Sequence, residues 1–125
     1  LQYGRELCAK FGGELHLLHV LDVQVTPQFT MGFAVPQRNE ESAEAAMEKL
    51  QKLPGSGVDS GCQIVRATAH GRPSDEIVKY ANGKDVDVIA IGTHGRTGLS
   101  HVLMGSVAEN VVRHATCPVL IVRRK

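Results

Sequence analysis

Cysteine is scarce in this chain and shows no pairing pattern: Cys8, Cys62 and Cys117 are odd in number, far apart and without a CxxC spacing. Neither a disulfide framework nor a zinc site is expected from them, and a reducing, cytoplasmic setting fits best. Long apolar runs are missing too. No stretch approaches the roughly 20 apolar residues that a membrane-spanning helix needs, and the N-terminus lacks a basic region followed by an apolar one and a cleavage site. No membrane partner and no export are therefore expected. An excess of one charge is also absent, because 14 Lys and Arg stand against 13 Asp and Glu. A net charge of +1 is too balanced to indicate a nucleic-acid partner. Internal repeats and low-complexity segments are likewise absent.

What the chain has is ordinary globular composition, 42% hydrophobic and 22% charged over 125 residues. That is enough for one compact domain covering residues 1–125 and excludes a two-domain enzyme. The charge is unevenly spread. Residues 1–62 carry 5 basic and 8 acidic side chains, whereas residues 63–125 carry 9 and 5. An anionic ligand would be favoured by the second half.

Apolar periodicity orders the elements. Leu1, Leu7, Cys8 and Phe11 lie on one side of a helix closed by Gly12 and Gly13. Residues 14–22, ELHLLHVLD, read as a strand covered on both faces, and residues 23–38 as a loop that covers something. Residues 39–53 form an amphipathic helix stopped by Pro54 and Gly55. A strand over 62–69 precedes a helix that starts at Pro73, where a missing N–H costs nothing and where Asp75 and Glu76 complement the dipole. A short β-branched strand over 86–91 leads into glycines, and a helix over 106–115 precedes a last strand over 118–122, PVLIV. Strands alternating with helices predict an α/β fold, a doubly wound parallel sheet with helices on both faces. Such a unit opens on a strand, whereas this chain opens inside a helix, so a first strand is expected to be missing from it.

In this architecture ligands bind beyond the carboxyl ends of the strands, which draws attention to the segment after Ile91. There the spacing G-x2-G-x9-G-S falls on Gly92, Gly95, Gly105 and Ser106. Gly92 and Gly95 allow a sharp turn and close backbone approach through positive φ. Gly105 and Ser106 open a helix whose first N–H groups and dipole suit a phosphate. Ser106 adds a hydroxyl, the backbone of Thr93 and His94 lies at the strand end, and Arg96 is either a phosphate-binding cation or a solvated loop residue. The spacing is neither GxxxxGK[ST] nor GxGxxG. Ser106 through Glu109 also fits a capping box, in which Ser106 accepts the Glu109 N–H and Glu109 reaches back. His16 and His19, three apart on a strand, face opposite sides and suggest no metal site. His94 reads as a backbone contributor, and Cys117 as a small apolar filler.

The glycine pattern resembles that of the universal stress protein family, specifically its ATP-binding branch. The segments ELHLLHVLD, GRPSDEIVKYA and GSVAENVVRHATCPVLIV resemble that family's second strand, third-helix entry and carboxyl-terminal helix and strand. The resemblance spans residues 14–124. It implies a Rossmann-like fold of the adenine nucleotide alpha hydrolase type and a bound adenine nucleotide: ATP, or else AMP or ADP, accompanied by Mg. Gly92, Thr93, His94, Gly95, Gly105, Ser106 and Val107 would hold phosphates and ribose, and Val20 would lie near the adenine. The family's nucleotide-binding Asp after the first strand has no counterpart here. The resemblance also implies a homodimer through residues 118–122, whose edge strand would otherwise leave backbone groups unpaired, with Arg123, Arg124 and Lys125 as a soluble rim. The expected function is an ATP-binding stress-response or signalling module with protein partners still to be named. Two alternatives stand beside it: a slow ATPase or self-phosphorylating enzyme with Ser106 or Thr93 as acceptor, and a dimeric protein-interaction module without nucleotide dependence.

Overall fold

The structure, a computed structural model, describes residues 1–22, 29–30, 33–34, 42–53, 61–93 and 104–123. Two compact units appear, Leu1–Arg72 and Pro73–Lys125. Helices alternate with parallel strands in both, so the chain is α/β as expected.

In the first unit, α1 (Gln2–Phe11) ends where Gly12 takes a left-handed conformation, φ 68° and ψ 41°. Gly12 donates to the Cys8 carbonyl at 2.8 Å and Gly13 to the same oxygen at 3.3 Å, satisfying a helix-end acceptor and turning the chain into β1 (Glu14–Leu21). Gly4 lets α1 approach that strand, since a Cβ there would stand 2.9 Å from Leu15 Cδ1. The expected loop over 23–38 contains two short strands, β2 (Phe29–Thr30) and β3 (Phe33–Ala34), paired antiparallel. Next comes α2 (Ala43–Gln51), capped by Ser42, whose Oγ accepts the Ala45 N–H at 3.1 Å. Its buried Ala46 and Leu50 belong to the helix that packs on β1 and β4. The strand β4 (Gln63–His70) runs parallel to β1, in register from Glu14↔Gln63 to Leu21↔His70. Arg66 Nε donates to the Leu50 carbonyl at 3.1 Å and so satisfies the end of α2 from the sheet.

That register overturns the expectation that the cysteines are unpaired. Cys8, in the last turn of α1, and Cys62, one residue before β4, form a disulfide, with Cα atoms 5.5 Å apart. The Gly12–Gly13 turn and the Glu14↔Gln63 pairing bring together two residues 54 apart in sequence, which spacing alone does not reveal. The argument from cysteine usage to a reducing setting loses its premise.

In the second unit, α3 (Pro73–Gly83) starts on the proline and carries Asp75 and Glu76 in its first turn. Asp85 takes φ 49°, and Val86 donates to the Ala81 carbonyl at 2.9 Å. The Val86 N–H therefore closes the helix, and β5 (Ile89–Gly92) begins three residues later than the apolar run indicates. The helix α4 (Ser106–His114) leads to β6 (Val119–Val122), which pairs parallel with β5 from Ile89↔Val119 to Gly92↔Val122. Ala81, Ile89 and Val111 form the buried centre, with Ile77, Ile91, Val107 and Cys117 packed against it. Thr116 Oγ1 donates to Asn82 Oδ1 at 2.6 Å, tying the end of α3 to the turn before β6. Among the described residues no helix is long and apolar enough to cross a membrane.

Candidate functional site

The candidate site of the second unit lies where β5 ends. Gly92 is the last strand residue, exposed, and a Cβ placed on it would meet no heavy atom within 4 Å. Its φ lies outside the left-handed range, so it acts as a strand residue without a side chain and not as the positive-φ turn expected of it. Thr93 is 2% exposed, and its backbone is held on both sides. Its N–H donates to the Val122 carbonyl of β6 at 3.1 Å, and its carbonyl accepts the Gly105 N–H at 2.7 Å. This second bond brings the start of α4 to the carboxyl end of β5.

Gly105 is the N-cap of α4, with φ −68°, ψ 156° and no side-chain cap bond, and its carbonyl accepts the Glu109 N–H at 3.0 Å. The expected capping box is therefore replaced. Ser106 occupies the first helical position instead of the cap, and Glu109 points its Oε1 at Arg113 Nη2, 2.9 Å away. Gly105 wins the cap because its backbone is anchored to Thr93, a tertiary contact that outweighs the local S-x-x-E pattern. The exposed Ser106 side chain stands beside helix N–H groups that have no acceptor within the helix, and the dipole there favours an anion. Val107 packs inward against the Ala81–Ile89–Val111 centre and fixes the helix start.

The structure thus gathers Gly92, Thr93, Gly105, Ser106 and Val107 at one strand end and one helix start. His94, Gly95 and Arg96 lie outside the described residues. Val20 belongs to the first unit, next to last on β1 and paired with Ala69. His16 Nε2 sits 3.2 Å from Glu14 Oε2, two residues away on the same strand face. Burial raises the Tyr80 phenol above its ordinary value, and Tyr80 belongs to α3. Among the described residues no group of His, Cys, Asp and Glu could hold a metal ion. The Thr93–Gly105 bond carries no signal in sequence, because both partners are backbone atoms.

A model of the universal stress protein family matches residues 1–123. The chain is 34% identical over 118 residues to universal stress protein MJ0531 of Methanocaldococcus jannaschii, covering 94% of this chain and 69% of that protein. It is 36% identical over 118 residues to universal stress protein YxiE of Bacillus subtilis, covering 88% of this chain and 79% of the relative. Among solved structures it is similar to protein MJ0577 of Methanocaldococcus jannaschii, with a TM-score of 0.69, 30% identity, and 99% of this chain and 88% of that one covered. By its sequence over nearly its whole length, and by its fold, this chain belongs to the universal stress protein family.

Proposed function

We propose that this protein is an ATP-binding stress-response or signalling module, with residues 1–125 acting as one universal stress protein domain. The observation that carries the reading is the Gly105 N–H to Thr93 carbonyl bond, which sets the start of α4 against the end of β5. Phosphates would lie on the α4 N-terminus, held by its first backbone N–H groups and the Ser106 hydroxyl. Gly92, with open space where a side chain would be, leaves room for the nucleotide backbone. Mg would accompany the phosphates and neutralise part of their charge. Thr93 and Val107 position the two backbone segments, and His94, Gly95 and Arg96 belong to the same proposed set. AMP or ADP would use the same cradle with fewer phosphate contacts.

The proposal includes a homodimer through β6 and protein partners that read the nucleotide state. It also includes a cytoplasmic location, since an ATP-dependent module works where ATP is abundant. The test is Gly105→Val. Its φ and ψ suit any L-residue, so valine would put a branched side chain beside the phosphates without demanding a new backbone conformation. ATP binding is expected to be lost with the fold intact, and unchanged affinity would remove the site assignment.

A further inference from the structure

The first unit contains a disulfide that the proposed nucleotide site does not use. We propose that Cys8 and Cys62 are a reversible thiol–disulfide exchange site for small disulfides of the glutathione type. In this site Cys62 is the sulfur that meets the external molecule and Cys8 is the one that closes the bridge.

The backbone prepares the pair. Two N–H bonds from Gly12 and Gly13 hold the Cys8 carbonyl, and the Glu14↔Gln63 register fixes the residue after Cys62. The two Cα atoms are 5.5 Å apart, inside the range a disulfide spans without moving the chain. Access differs between the two. Cys8 is only 7% exposed, whereas Cys62 is half-buried and follows Gly61, an exposed residue whose absent Cβ leaves open space. An external sulfur therefore reaches Cys62 first. In the disulfide the Cys8 Sγ lies 3.1 Å from the Gly13 carbonyl oxygen, an acceptor within reach of the thiol that reduction would create. The exchange rests on the cytoplasmic location proposed above: disulfides in reducing compartments are characteristically transient and redox-sensing, which suits an exchanging bridge better than a permanent one.

The exchange balances in two steps. The Cys62 thiolate attacks one sulfur of glutathione disulfide, forming a Cys62–glutathione mixed disulfide and expelling one glutathione thiolate. The Cys8 thiolate then attacks Cys62 Sγ, forming the protein disulfide and expelling the second. Two protein thiols lose two electrons, one small disulfide gains them, and the protons released by the cysteines pass to the departing thiolates. Excess reduced glutathione reverses both steps, attacking Cys62 Sγ and releasing Cys8. Closure fixes the end of α1 to the start of β4.

The test is exposure of the reduced full chain to glutathione disulfide, with acid quenching, intact mass and peptide mapping. Cys117, a free cysteine of the second unit, is mapped separately. In the wild type two of the three cysteines should be lost to a Cys8–Cys62 bridge, with any early glutathione adduct on Cys62. Cys8→Ser should accumulate glutathione on Cys62, while Cys62→Ser should leave Cys8 several-fold slower to react. In urea, where burial is gone, that difference should vanish. An early wild-type adduct on Cys8, or failure of the bridge to form, would overturn the proposal even if a variant misfolds.

Discussion

At Gly105 the backbone lies in the β region, φ −68° and ψ 156°, and no positive φ demands a glycine. Replacing it with valine should cost about 1 kcal/mol of helix capping, to be read by urea unfolding, while nucleotide affinity disappears. Val111 gives the opposite kind of prediction. It is fully buried at the centre of the second unit, so Val111→Ala should destabilise by about 2 kcal/mol through lost burial and a small cavity. Denaturant titration reads that loss; a cost near zero would mean the centre is loosely packed. At this scale the sequence was legible in part. The glycine spacing marked the end of β5 at Gly92 and the start of α4 at Gly105 and Ser106, but S-x-x-E at residues 106–109 pointed to Ser106 as a cap. The backbone bond to Thr93, invisible in side-chain patterns, gives that role to Gly105.

Elements were easier to read than their ends. Both helix starts in the second unit follow from Pro73 and from Gly105–Ser106, and the register of β5 with β6 joins two apolar runs found by composition alone. The start of β5 was misplaced because Val86 serves the end of α3, a use of its N–H that depends on the turn at Asp85. The pair β2 and β3 went unread because strands of two residues have no period. The disulfide was hidden for a related reason: it depends on which residues β1 and β4 place opposite each other. Its cross-link spans 54 residues, and loop-closure entropy then contributes about 4 kcal/mol to stability. Urea unfolding with and without reductant should differ by that order, and the Cys8→Ser, Cys62→Ser double variant should show no dependence on reductant. Equal midpoints for the wild type would show that the bridge does not constrain the unfolded chain.

For the whole molecule, family membership was legible because the glycine pattern and three flanking segments agree over most of the chain, and the family match over residues 1–123 bears that out. Fold class followed from the alternation of strands and helices. Assembly belongs to the same scale. Leu120, 37% exposed on β6, is where a second copy would pack if the edge strand is shared. Sedimentation of Leu120→Lys should give half the mass of the wild type; an unchanged mass would refute that contact. The central claim is the nucleotide itself, and its most direct measurement is calorimetric titration of the purified protein with Mg-ATP, and with Mg-GTP for comparison. Saturable binding that prefers ATP is the expected result. Absence of binding, or equal binding of the two nucleotides, would contradict an adenine-nucleotide site at the end of β5 and the start of α4.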